Sequence, residues 1–178
     1  KSTGVSPDIF SFNTLLNAYS NSGLPDAGRN AERILDWMEQ LAQTEGFDLS
    51  PDAYSYTAVI DAYAKSRSPD RAEAVLHRLL HRQMEGHNVT PTVVTFTAVL
   101  HALSRTRNID ALPRAKALIA MMEDLDSSGV PNVAPSTVTY NALLNVCNKS
   151  REYADSANEA MRILEEMKLH PEHAKPNC

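Results

Sequence analysis

Four polar side chains, Asn13, Thr57, Thr97 and Asn141, hold the same place in four copies of one ten-residue segment, each directly after an aromatic residue. Amides and hydroxyls both donate and accept hydrogen bonds. The chemistry they offer is recognition, either of something lying in a groove or of a neighbouring helix. A polar residue recurring between apolar neighbours early in a helix is poorly explained by helix propensity.

Bond-breaking chemistry has less to stand on. The sequence carries no phosphate loop, nucleophile elbow or paired carboxylate set. His77 and His81 are spaced i, i+4, as zinc ligands on a helix can be, but Arg78-Leu-Leu lies between them and no third ligand is evident. A solvated helix face accounts for both. Cys147 and Cys178 make neither a disulfide framework nor a metal set. Cys147 falls where the other copies have Tyr19, Tyr63 and Leu103, which is a core position. No cofactor and no metal is expected, and the chain reads as a protein without catalysis of its own.

Lys65, Arg105 and Lys149 form a second recurring column, with Asn21 in the first copy. Cations at helix ends can track phosphates or compensate the helix dipole, and the two readings do not exclude each other. The formal net charge of -5 provides no general basic patch. The acidity is concentrated: residues 9–52 hold two cations against seven acids, whereas the later copies are near neutral. No apolar run approaches the length of a membrane span.

The elements that must position these residues follow from the repeat. Pro7-Asp-Ile-Phe-Ser-Phe-Asn-Thr-Leu-Leu aligns without a gap to the segments opening at Pro51, Pro91 and Pro135, spaced 44, 40 and 44 residues apart, with Pro176 a further 41 on. Each proline precedes a capping residue type (Asp8, Asp52, Thr92, Ser136). An i, i+3, i+4, i+7 apolar stripe comes next, such as Phe12, Leu15, Leu16 and Tyr19, and helix-ending residues close it. A second helix is marked by Ala31-x-x-Ile34-Leu35-x-x-Met38 and its counterparts from Ala72, Ala115 and Ala160. Trp37 stands beside that stripe as a packing residue. The aromatic-to-alanine distance is 16 residues in the second copy but 19, 19 and 20 in the first, third and fourth. Lengthened helices or turns are expected there rather than a broken repeat.

The whole reads as all-α: a right-handed α-solenoid of helix-turn-helix repeats, about eight helices in four pairs. The boundaries are an N-terminal extension over 1–8, then repeats over 9–52, 53–92, 93–136 and 137–177. The chain opens on Lys1 rather than Met and stops soon after a repeat boundary, as a fragment or processed form would.

Pro-[Asp/Thr/Ser]-x-x-[Ser/Thr]-[Phe/Tyr]-[Asn/Thr]-x-[Leu/Val]-[Leu/Ile], followed by the alanine pattern, resembles the pentatricopeptide repeat family over residues 9–177. The units are longer than that family's usual length of about 35 residues. The resemblance implies single-stranded RNA bound at one base per repeat, in a mitochondrion or plastid, for RNA stability, processing, editing or translation. It assigns base reading to Asn13, Thr57, Thr97 and Asn141, partnered by Asp52, Thr92, Ser136 and Asn177. Bases would lie between Phe10, Tyr54, Val94 and Val138, with Lys65, Arg105 and Lys149 along the phosphates. By the same analogy Asn13–Asp52 favours uridine and Asn141–Asn177 cytidine, while Thr57 and Thr97 lean towards purines. The bland reading of Asp52, Thr92 and Ser136 is helix capping alone. The alternative function is a protein–protein interaction scaffold or a non-catalytic subunit of an organellar complex.

Overall fold

The computed structural model describes residues 7–44, 49–149 and 156–169. Among them lie eight α-helices and no strand. They fall into two compact units, residues 1–90 and 91–178. The first holds α1 (Ile9–Asn21), α2 (Ala27–Ala42), α3 (Ala53–Lys65) and α4 (Pro69–Met84). The second holds α5 (Val93–Ser104), α6 (Ala111–Ser127), α7 (Thr137–Lys149) and α8 (Ser156–Leu169). Leu169 and Ser156 bound the last helix only as backbone.

The odd-numbered helices begin where the sequence calls for them. Asp8, Asp52 and Thr92 each accept the backbone N–H three residues on, while Ser11, Ser55 and Thr95 reach back to the cap backbone. Ser136 and Thr139 make the same reciprocal pair before α7. Each box satisfies two of the orphan N–H groups of a helix start. The even-numbered starts are built differently: Asp26, Ser68 and Asp110 make no side-chain cap bond, and α4 has Pro69 in its first turn, where no N–H is needed.

In the first unit α3 is the central helix, with α1, α2 and α4 packed against it. Its Tyr56, Val59 and Ile60 are buried together with Phe12 and Leu16 of α1, Leu35 and Met38 of α2, and Val75, Leu76 and Leu79 of α4. Each large apolar side chain so buried contributes roughly 1.5–3 kcal/mol. In the second unit α7 has the same place among α5, α6 and α8. Within α8 only Ile163 of the expected stripe is buried, and Leu164 is exposed.

In the first and third copies most of the extra residues are in the turns. The odd-numbered helices have 13, 13, 12 and 13 residues. The turn after α3 spans only 66–68, whereas those after α1 and α5 span 22–26 and 105–110. The fourth turn lies outside the described residues. In the three-residue turn Arg67 takes a left-handed φ of 55°. The long connections between pairs are anchored by Leu49, Val89 and Val133, each buried two residues before a buried proline.

Gly28 lies at a close approach of α2 to α3. A Cβ there would fall well inside contact distance of the Tyr63 ring, and that ring is held by its hydroxyl, which donates to Glu32. Helix propensity alone favours alanine over glycine by about 0.5–1 kcal/mol. Overpacking costs roughly 1–3 kcal/mol, and moving the ring aside would strain its hydroxyl bond to Glu32. Gly28→Ala is therefore expected to lower the urea unfolding midpoint, and a raised midpoint would contradict this packing.

Candidate functional site

Each odd-numbered helix turns one face to its core and leaves another open. Phe12 and Tyr56, the shared aromatics, are buried. Two residues earlier, Phe10, Tyr54, Val94 and Val138 are 75%, 52%, 61% and 56% exposed. The same register position thus presents an apolar side chain to solvent in all four copies. Positions i and i+3 share a helix face, so Asn13, Thr57, Thr97 and Asn141 flank that column one turn on.

The polar residues are not equivalent. Asn13 is joined to Asp52: its Nδ2 donates to both carboxylate oxygens at 3.4 Å. Its Oδ1 accepts from Ser55 Oγ at 2.7 Å. Thr57 and Thr97 instead donate their hydroxyl protons to the backbone carbonyls of Ala53 and Val93, each at 2.7 Å. Back-bonding of this kind leaves the oxygen as an acceptor. Thr97 is buried, and no hydrogen bond joins it to Ser136, whose hydroxyl pairs with Thr139. Thr57 belongs to the first unit and Thr92 to the second, where Thr92 caps α5. Asn141 is exposed without a hydrogen-bond partner among the described residues, and its expected partner Asn177 lies outside them. Of the two expected pairs whose members lie within one unit and among the described residues, Asn13–Asp52 is directly hydrogen-bonded and Thr97–Ser136 is not.

The basic column also divides. Lys65 Nζ is 2.7 Å from Asp61 and donates to Ser20 and Asn21 at 3.1 and 2.9 Å. Its charge is committed to the contact between α1 and α3. Arg105 and Lys149 are exposed and have no ion-pair partner among the described residues.

Two features were missed by sequence reasoning. Ser55 touches Asn13 from the neighbouring repeat, and its only sequence signal is its place in the capping box. A polar network ties the even-numbered helices to α3: Tyr56 Oη donates to Glu39 at 2.6 Å, and Arg78 donates to Glu39 and Asp36 at 2.7 and 2.6 Å. Burial alone would raise the Glu39 carboxyl, but the bonds from Arg78 and Tyr56 outweigh it and hold the group below the ordinary glutamate range. Tyr140 and Glu123 repeat the pair in the second unit at 3.4 Å, with the same 17-residue separation.

At the other end of α3 from Asp52, a cavity of about 220 Å³ is lined by Gly28, Arg29, Glu32, Tyr63, Ser68 and Arg71, among others. His77 and His81 are exposed, and no group of metal-ligating side chains occurs among the described residues. Cys147 is buried, as its column implies, and burial pushes its thiol up. Trp37 sets its ring edge-on to Phe12, with centroids 5.3 Å apart. No helix among the described residues is long and apolar enough to cross a membrane.

A family model described as the pentacotripeptide-repeat region of PRORP matches residues 1–123. One described as the pentatricopeptide repeat domain matches residues 121–178. Among solved structures, the maize pentatricopeptide repeat protein PPR10 is similar, with a TM-score of 0.63 and 24% identity over 94% of this chain and 20% of that one. PPR10 in complex with an 18-nt psaJ RNA element is similar with a TM-score of 0.66 and 24% identity, over 94% of this chain and 21% of that one. The fold is that of these helical-repeat solenoids, and the chain spans about a fifth of the PPR10 chain. No curated protein matches it.

Proposed function

Since this chain belongs to the pentatricopeptide repeat family, we propose that it binds single-stranded RNA with selectivity for sequence. The carrying observation is the column of Phe10, Tyr54, Val94 and Val138, all more than half exposed at one register position. A base has a flat apolar face and a polar edge, and stacking on side chains with hydrogen bonds to the edge is how unpaired bases are recognised. Asn13, Thr57, Thr97 and Asn141 stand one helical turn from that column. The likeness in fold to a repeat protein solved with RNA bound supports the same reading.

The repeats over 9–52, 53–92, 93–136 and 137–177 then supply one nucleotide site each. The family analogy gives 5′-U-purine-purine-C-3′, read parallel to the repeats, with Asn13–Asp52 on the uridine and Asn141–Asn177 on the cytidine. The role is organellar, in a mitochondrion or plastid: occupying a strand to stabilise it or to direct its processing, editing or translation, with no bond made or broken by this chain. The charge of residues 9–52 favours a second reading, in which the same groove holds a basic protein segment of an organellar complex.

Fluorescence anisotropy at two salt concentrations tests this, using that RNA and one with uridine and cytidine exchanged. Preference for the first supports base reading, and equal affinity counts against it. No binding at low salt turns the assignment to the second reading. Arg105→Ala and Lys149→Ala are each expected to weaken both RNAs alike and to flatten the salt slope by about one. Lys65→Ala is expected to change that slope less, because its ammonium is already paired with Asp61.

A further inference from the structure

We propose that Ser55 is a positioning residue for base selectivity in the first repeat, acting by fixing which way round the Asn13 amide stands. The proposal rests on the RNA reading above. The two ends of an asparagine amide have nearly the same shape and opposite hydrogen-bonding sense. A uracil edge presents an N–H beside a carbonyl, and a cytosine edge presents a ring nitrogen beside an amino group. Turning the amide by half a revolution exchanges the base it suits. An amide free to turn discriminates poorly.

Two groups prevent Asn13 from turning. Asp52, an acceptor when ionised, takes Nδ2–H at 3.4 Å on both oxygens. Ser55 supplies the opposite half, an O–H directed at Asn13 Oδ1 from 2.7 Å. The Ser55 hydroxyl is prepared for this. It is wholly buried, its oxygen accepts the Asp52 backbone N–H at 3.2 Å, and its proton has Asn13 Oδ1 at 2.7 Å against Asp52 Oδ1 at 2.9 Å. Turned round, the amide would set Oδ1 against a carboxylate. The corresponding hydroxyls of Ser11 and Thr139 bond within their own caps. Ser55 therefore belongs to the second repeat but orients the reader of the first. Asn141 has no such hold among the described residues.

The experiment measures affinity for two RNAs that differ only by uridine or cytidine opposite the first repeat. Ser55→Ala is expected to reduce the uridine-to-cytidine ratio about five-fold, the scale of one hydrogen bond. Ser55→Thr, which keeps the hydroxyl, restores the ratio, and Ser11→Ala, which weakens a cap without touching a reader, leaves it unchanged. Ser55→Ala retains the Asp52 bond to the Ser55 backbone N–H at 2.8 Å, so α3 stays capped and the chain folds. In the absence of RNA, proton exchange at the Asn13 side-chain amide is expected to be slower than at Asn141 and to speed up in Ser55→Ala. An unchanged base ratio in Ser55→Ala overturns the proposal. Should the unaltered chain bind neither RNA, the RNA reading fails, and amide exchange still judges the lock: equal rates at Asn13 with and without Ser55 overturn it.

Discussion

Phe10 and Tyr54 replaced together by alanine are expected to lower RNA affinity by about 2–6 kcal/mol, at roughly 1–3 kcal/mol for each stacked base, while leaving stability within about 0.5 kcal/mol. The separation between the two readouts is what makes the result diagnostic. Both rings are more than half exposed, and the aromatics two positions on, Phe12 and Tyr56, fill the core instead. Removing an exposed ring takes little from the folded state. Removing a platform takes its contact from every base that uses it, so the loss should be similar for all sequences. The corresponding Val94 and Val138 changes should cost less, because a valine offers no flat face. Anisotropy beside urea unfolding of the same double variant decides the matter. A lowered midpoint with unchanged affinity would mean the rings support the fold and are no platform.

The acidity of the first repeat bears on that expectation less than its formal charge implies. Of the seven acids in residues 9–52, Asp36 and Glu39 are paired with Arg78. Glu32 accepts from Tyr63, and Asp52 caps α3. These carboxylates act inside the structure. The field of Asp36 and Glu39 is offset by Arg78, which the next repeat supplies, and a backbone phosphate would meet the remainder.

How much of this was legible follows from the range of the interactions involved. Repeats, helix pairs and caps are written in local spacing, so Asp52, Thr92 and Ser136 could be read as N-caps directly. The Asn13–Asp52 bond was accessible through the family resemblance, since it spans 39 residues. Ser55 escaped notice because its bond to Asn13 depends on the distance between α1 and α3, which no periodicity encodes. Lys65 is a mixed case: its i, i+4 pairing with Asp61 is local to α3, but the Ser20 and Asn21 contacts that complete its shell arise only when α1 and α3 pack. The extra residues were visible as a count, and their placement in turns depended on cap geometry. Glu39 and Glu123 did carry a signal, each standing 17 residues before a tyrosine.

Glu39→Ala is expected to destabilise the fold by about 2–4 kcal/mol, from a buried tyrosine hydroxyl left without its acceptor and a lost charged bond to Arg78. The wholly buried Tyr56 hydroxyl loses its acceptor, Arg78 is left with Asp36 alone, and Arg82 loses a carboxylate 3.9 Å away. Glu123→Ala, at the matching position, should cost about 1 kcal/mol or less. There the tyrosine bond is 3.4 Å, the carboxylate is exposed, and Tyr140 is pushed up only to about 12, chiefly by burial. The pH dependence separates charge from packing. The folded-state carboxyl of Glu39 lies below its unfolded value, so its contribution is complete above the ordinary glutamate range and is lost as pH falls through the depressed value. Burial and the Glu39 bond raise Tyr56, so that half is complete below the ordinary tyrosine range and lost in strong alkali. Urea unfolding of both variants at neutral pH and near pH 3 provides the measurement. The gap between Glu39→Ala and the unaltered chain should narrow on acidification. A gap of constant size would assign the effect to lost packing, and a Glu123→Ala cost equal to that of Glu39→Ala would remove the distinction between the two pairs.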